Sequence, residues 1–216
     1  MDEGSAVDTS GLQPGQRVKV DADFWQERYE AGQLGWDMGQ VSPPIQAYID
    51  QLPTADKTKA IMVAGAGNAY EVGYLHEQGF TQVTVFDIVT PPLEGFARRY
   101  PDFPKDQLVC ADFFALTSAQ YQFDLAIEQT FFCAIDPNMR PDYVKQMHTL
   151  LKPGGKLVGL LFDKDFGRPT PPFGGTEAEY RELFAPYFDI EVMERCHNSH
   201  PARQGSELFI ILKAKP

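Results

Sequence analysis

The stretch from Lys59 to Asp87, KAIMVAGAGNAYEVGYLHEQGFTQVTVFD, constrains the fold more than any other part of the chain. Ala60 to Ala64 is short, apolar and bounded by glycine, the pattern of a buried strand. Tyr70, Tyr74, Leu75 and Gln78 follow at helical spacing, and Gly79 supplies a stop. Val83, Val85 and Phe86 form a second β-rich run that ends on Asp87. Strand, glycine turn, helix and strand make a βαβ unit, which requires a parallel pair joined by a right-handed crossover. Gly65 and Gly67 let the backbone come close to a ligand. Asp87 stands about twenty residues further on, at the next strand end, where a carboxylate accepts hydrogen bonds from ribose hydroxyls. A nucleoside is the expected ligand.

The rest of the chain continues the alternation. Gln107–Ala111, Phe123–Glu128 and Lys156–Phe162 read as a third, fourth and fifth strand, with helices expected over Leu93–Tyr100 and Pro141–Leu151. The tetrapeptide Lys152-Pro153-Gly154-Gly155 breaks the second of these. Thr176 and Glu179 have the spacing of a capping box for a helix over Glu177–Phe184. Phe188–Cys196 and Leu208–Lys213 are separated only by polar and turn residues, as in an antiparallel hairpin at a sheet edge. The expected fold is α/β, a Rossmann-like doubly wound sheet of seven strands, mostly parallel with an antiparallel terminal strand. Upstream, Phe24, Trp25, Arg28 and Tyr29 predict a helix stopped by Gly32, and Ser42 is placed to cap a helix starting at Pro43 or Pro44. Residues 1–21, rich in Gly, Asp and Ser, read as a mobile arm, leaving one domain over 22–216.

Charge and cysteine usage remove several classes. Nineteen Lys and Arg against 30 Asp and Glu give a net charge of −11, which repels a phosphate backbone, so nucleic acid is not an expected partner. Cys110, Cys133 and Cys196 are odd in number and form no C-x-x-C pair, and His197 and His200 lack a third ligand, so neither a disulfide framework nor a metal is expected. No apolar run approaches the roughly 20 residues needed to span a bilayer, and the N-terminus lacks the features of a signal peptide. A reducing cytoplasm is the expected location.

Which nucleoside binds is decided next to the glycine turn. The dinucleotide fingerprint G-x-G-x-x-G/A needs a small third residue so that helix and strand close around a pyrophosphate. Tyr70 occupies that position, and Gly73 lies a helical turn later. S-adenosylmethionine has no pyrophosphate. It needs the tight turn, a ribose carboxylate and a polar contact to adenine, for which Asp112, beside Phe113, is the candidate; Asp112 as a helix cap is the competing reading. Trp25 and Trp36 present aromatic faces that attract a sulfonium cation, by on the order of 1 kcal/mol or more once desolvated; the competing reading is that they pack the N-terminal segment onto the domain. Pro171-Pro172-Phe173 resembles the Asn/Asp-Pro-Pro-aromatic motif of amino-group methyltransferases, but it follows strand five, whereas that motif follows strand four.

Trp36, Asp37, Gly39 and Pro43 form a Trp-Asp-x-Gly-x-x-x-Pro pattern, and Phe131 to Pro141 reads FFCAIDPNMRP. With Pro171-Pro172-Phe173 and with Pro201, Arg203 and Gly205, these residues resemble the thiopurine methyltransferases and the related plant and bacterial thiol and halide methyltransferases. The resemblance runs from about Phe24 to the C-terminus and implies the class I methyltransferase fold. It implies S-adenosylmethionine as cofactor and a small-molecule acceptor: a thiol, a thiolate or a soft anion. It also implies cofactor contacts at Trp25, Tyr29, Trp36, Gly65, Asp87, Asp112, Phe113 and Gln129, to which the βαβ turn adds Gly67. Phe131, Phe132 and Phe173 are the expected acceptor walls, and Arg140 the expected polar or catalytic contact to the acceptor, against a purely structural arginine. A small-molecule O- or N-methyltransferase and a non-catalytic domain that binds the same cofactor are the alternatives.

Overall fold

In the computed structural model, which describes residues 9, 11–13 and 15–216, seven strands form one sheet. They are β1 (Ile61–Ala64), β2 (Val83–Asp87), β3 (Leu108–Cys110), β4 (Phe123–Gln129), β5 (Leu151–Phe162), β6 (Phe188–Arg195) and β7 (Glu207–Ala214), in the order β3-β2-β1-β4-β5-β7-β6. Strands β1 to β5 pair in parallel. Strand β7 runs antiparallel to both β5 and β6, so the last strand of the chain is the reversed one and lies inside the sheet, while β6 forms the edge. This is the expected topology.

Six helices cover the sheet among the described residues: α1 (Ala22–Glu30), α2 (Pro43–Asp50), α3 (Tyr70–Glu77), α4 (Thr90–Arg99), α5 (Arg140–Leu150) and α6 (Glu177–Phe184). Alternation along β1 divides the core between two faces. Ile61 and Val63 pack with Ile45, Val72, Leu75 and Phe96 from α2, α3 and α4. Met62 and Ala64 pack with Tyr143, Val144, Met147 and Phe184 from α5 and α6. A central strand covered on both faces has no polar side, which is why β1 reads as an unbroken apolar run.

Several boundaries differ from expectation for local reasons. Helix α4 begins at Thr90, because Pro91 and Pro92 occupy its first turn, where the missing N–H groups have no intrahelical partner to lose. Strand β5 begins at Leu151, directly after α5, and Lys152 to Gly155 form a bulge opposite Asp124; Gly154 takes φ +78° there. The capping box at Thr176 and Glu179 is present. Ser42 precedes α2 as expected, but its hydroxyl caps nothing; its backbone N–H donates to buried Glu71 (3.0 Å) instead. Gly73 has a packing role: a Cβ there would lie 2.5 Å from the hydroxyl of Tyr100, at the end of α4.

The expected arm, residues 1–21, is docked over its last part. Val18 is buried and its N–H donates to the carbonyl of Pro169 (3.0 Å), and Arg17 pairs with Asp136 at 3.5 Å. The remainder of that segment lies largely outside the described residues.

Candidate active site

Strand order reverses between β1 and β4, and open α/β sheets bind ligands at the carboxyl ends of the strands at such a point. A cleft of about 1610 Å³ opens there. It is lined by the β1–α3 turn, the end of β2, the segments after β3, β4 and β5, and the stretch from α1 to Gln40.

The turn after β1 is built for close approach. The N–H groups of Gly65 and Ala66 both donate to the carbonyl of Phe86 (2.9 and 3.2 Å), folding the chain back onto β2. Gly65 and Gly67 sit at φ +66° and +53°, which favour glycine. A Cβ on Gly65 would lie 2.7 to 2.9 Å from the Phe131 side chain. Ala69 (φ +52°) and Thr130 (φ +63°), the two described non-glycine residues with positive φ, also line the cleft, so backbone strain is concentrated around it.

Asp87 is buried at the end of β2, and its carboxylate accepts from the N–H of Val89 (3.1 Å). Burial pushes its pKa up to about 6, against the pull of the surrounding backbone N–H groups of Val89, Gly67, Ala66 and Ile88. Opposite, Trp25, Tyr29 and Trp36 form an edge-to-face cluster, with ring centroids 5.4 Å (Trp25–Trp36) and 5.6 Å (Tyr29–Trp36) apart. Asp37 joins this segment to the glycine turn by accepting from Asn68 (2.6 Å), Tyr70 (3.3 Å) and the N–H of Gly39 (2.8 Å). Arg203, held near Glu207, donates to the carbonyl of Trp36 (2.8 Å) and fixes it from the β6–β7 loop.

Glu128 organises the turn after β4 from behind. One carboxylate oxygen accepts from the N–H groups of Phe131 (2.8 Å) and Phe132 (2.9 Å), the other from the Tyr143 hydroxyl (2.6 Å). Burial pushes its pKa up to about 7, opposed by these three donors. Gln129 lines the cleft, and its Oε1 is buried without a partner among the described residues, an acceptor available to a ligand N–H.

A model of the thiopurine S-methyltransferase family matches residues 20–210. The chain belongs to that family. It is an S-adenosylmethionine-dependent methyltransferase. Among relatives, the probable thiol methyltransferase 2 of Arabidopsis thaliana is 32% identical over 165 residues, covering 75% of this chain and 71% of that protein. Thiocyanate methyltransferase 1 of Brassica oleracea is 31% identical over 198 residues, covering 87% and 83%. Among solved structures, 1,6-didemethyltoxoflavin-N1-methyltransferase of Burkholderia thailandensis, bound to its namesake compound and S-adenosylhomocysteine, superposes with a TM-score of 0.72. At 21% identity over 90% of this chain and 87% of that one, it shows a shared fold.

Within this family member, the residues expected at the site divide into two groups. Trp25, Tyr29, Trp36, Gly65, Gly67, Asp87, Asp112, Phe113, Gln129 and Phe131 all line the cleft. Asp112 caps the turn at Phe113–Ala115 by accepting from the N–H of Phe114 (2.9 Å), as the competing cap reading expects. Phe132, Arg140 and Phe173 do not line it. Arg140 is the first residue of α5, and a helical side chain leans toward the N-terminus of its helix. Its guanidinium lies 4.6 Å from the Phe132 ring centroid and 5.6 Å from that of Tyr180, and donates to the carbonyl of Phe173 (3.0 Å). Phe173 in turn donates its N–H to the carbonyl of Cys133 (2.7 Å). Arg140 therefore braces the Pro171-Pro172-Phe173 segment from behind, and the expected acceptor contact is corrected to a structural one. Glu128 was missed by the sequence reading. Its signal, a carboxylate inside the apolar run FDLAIEQTFF, was present but unused.

Proposed function

We propose that this domain, over residues 22–216, transfers a methyl group from S-adenosylmethionine to a small thiol, thiolate or soft anion in the cytoplasm. Bound there, S-adenosylmethionine supplies a methyl group on a cationic sulfur. Asp87 accepts from the ribose hydroxyls, the Gly65 turn admits the ligand backbone-close, Asp112 and Phe113 hold the base, and Gln129 Oε1 accepts an N–H of the amino-acid end. Trp25 and Trp36 face the cation and exclude water.

The observation that carries the acceptor class is the chemistry of the other half of the cleft. Phe131, Ile135, Met139, Phe166, Pro171 and Pro172 give it apolar, polarisable walls, and its ionisable side chains include Lys164 and Arg168. An acceptor that arrives as an anion fits such walls and needs no proton removed before it attacks. Alignment in a dry site then contributes the main rate advantage, up to about 7–11 kcal/mol in ideal cases. Three unpaired cysteines accord with a reducing compartment. Among the described residues, no helix is long and apolar enough to cross a membrane. An acceptor screen with thiols, halides, phenols and amines tests the assignment: turnover of thiols and soft anions is expected, and turnover confined to phenols or amines would reassign the enzyme.

Asp87 gives the cofactor site a pH signature. Because its pKa in the ligand-free protein is raised to about 6, the acid form is favoured by folding, and this group costs stability as pH rises through the window from about 4 to 6. Ribose hydroxyls donate to the ionised form, so ligand affinity moves the other way and falls as pH drops below about 6. S-adenosylhomocysteine is expected to bind about tenfold more weakly at about pH 5 than at about pH 7.5. In Asp87→Asn, affinity is weaker by roughly 1–3 kcal/mol and this pH slope is absent. Calorimetric titrations across that range read both, and an unchanged slope in the variant would remove Asp87 from the ribose role.

A further inference from the structure

The cleft is larger than the roughly 300–1,000 Å³ of a pocket for one small ligand, and it carries charges of both signs. Asp37, Asp87 and Asp112 stand around the glycine turn and the ends of β2 and β3. Lys164 and Arg168 stand on the loop after β5, with Phe166 between them in sequence and in space. The Lys164 ammonium lies 5.2 Å and the Arg168 guanidinium 5.3 Å from the centroid of the Phe166 ring, which is itself packed edge-on against Phe162.

Among the described residues the two cations have no counter-charge, although the chain carries a net charge of −11. Neither makes an ion pair among the described residues. Of the carboxylates beside them in sequence, Asp163 pairs with Arg195 at 2.5 Å, and Asp165 accepts from the N–H of Gly167 at 2.8 Å and pairs with neither cation. Of the other arginines in the cleft, Arg203 is engaged with Glu207 and the Trp36 carbonyl, and Arg28 lies 3.9 Å from the Phe24 ring centroid. Lys164 and Arg168 are exposed and flank one ring, and neither makes a side-chain hydrogen bond to another described residue. A single halide or thiocyanate ion taken up at the methyl donor would leave them unused.

We propose that Lys164 and Arg168 bind a second anionic group, of the carboxylate type, on the acceptor. The preferred substrate class is then a thiol that carries a remote carboxylate, its thiolate directed to the methyl donor and its carboxylate to the Lys164–Phe166–Arg168 rim. Paired cations suit a carboxylate because each donates a charge-assisted hydrogen bond to a different oxygen. The proposal rests on the S-methyltransferase reading of the same cleft and adds what its far end recognises.

The test compares 4-mercaptobenzoate with 4-methylthiophenol at a pH where both are thiolates, in the full-length enzyme and in Lys164→Met/Arg168→Met. The wild type is expected to favour the carboxylate by about tenfold or more in kcat/KM, and the ratio to fall to about one in the double variant. Binding of 4-methylbenzoate in the presence of S-adenosylhomocysteine, measured by calorimetry, needs no methyl transfer and is expected in the wild type and lost in the variant. A wild-type ratio near one, a ratio unchanged by the double substitution, or no 4-methylbenzoate binding would overturn the proposal. Carboxylate binding without turnover of either thiol would instead overturn the S-methyltransferase reading and leave the anion site standing.

Discussion

Replacing Glu128 by alanine is expected to destabilise the fold by about 3–5 kcal/mol. The carboxylate is the partner of three buried donors: the N–H groups of Phe131 and Phe132 and the hydroxyl of Tyr143. Alanine leaves all three unsatisfied in a region packed with Phe113, Phe131, Phe132 and Tyr143, and each orphaned donor costs about 1–3 kcal/mol, partly offset by removing a desolvated carboxylate. At about 2–4 °C per kcal/mol for a chain of this size, the thermal midpoint should drop by roughly 10 °C. Glu128→Gln keeps an acceptor for both backbone donors and offers Tyr143 an amide donor to accept from, so it should cost less than about 2 kcal/mol. The pair also separates a pH effect. With a pKa raised to about 7, Glu128 favours the fold in its acid form and costs stability as pH rises from about 4.3 to 7. Glu128→Gln should flatten the stability profile over that window. Denaturant titrations at several pH values read both outcomes, and equal losses in the two variants would show that the hydrogen bonds do not matter.

The second large effect is expected at Gly65. A methyl group there meets the Cβ, Cγ and Cδ2 of Phe131 at 2.9, 2.9 and 2.7 Å. Rotating the ring does not clear a contact to Cβ, and the Phe131 backbone is held by Glu128, so the two turns must separate. The left-handed φ of +66° adds about 1 kcal/mol of its own. Gly65→Ala should cost about 1–3 kcal/mol of stability and about a hundredfold in kcat/KM, because the donor seat and the acceptor wall shift together. Gly67→Ala is the control. Its Cβ would meet Trp36 Nε1 at 3.6 Å, an ordinary contact, so only backbone strain at φ +53° remains. Comparable loss of kcat/KM in both variants would mean that strain, rather than the meeting of Gly65 with Phe131, governs the site.

The parts legible in the sequence were those governed by local pattern. Periodicity and turn residues placed the βαβ unit, the reversed β7 and the capping box of α6. The glycine turn and Asp87 followed from spacing within one unit, and the cofactor residues that the family resemblance implied all reach the cleft. What was not legible depended on how distant segments meet. Arg140 stands in a run that carries the family resemblance, but the direction of its side chain is set by α5 and by the rings of Phe132 and Tyr180. Glu128 looked like the polar end of a strand, since its partner Tyr143 lies a helix away. The positive φ of Thr130 and Ala69 carries no sequence signal, because neither residue favours that region. The cationic rim at Lys164 and Arg168 needed the loop after β5 to be seen against the cleft.

The central claim is that the crevice at the ends of β1 and β2 seats the methyl donor. Titrating the wild-type protein with S-adenosylhomocysteine by calorimetry at neutral pH tests it most directly. One-to-one binding, with no response to NAD under the same conditions, is the expected result. A folded protein that gives no binding heat and no thermal shift with S-adenosylhomocysteine would contradict the account.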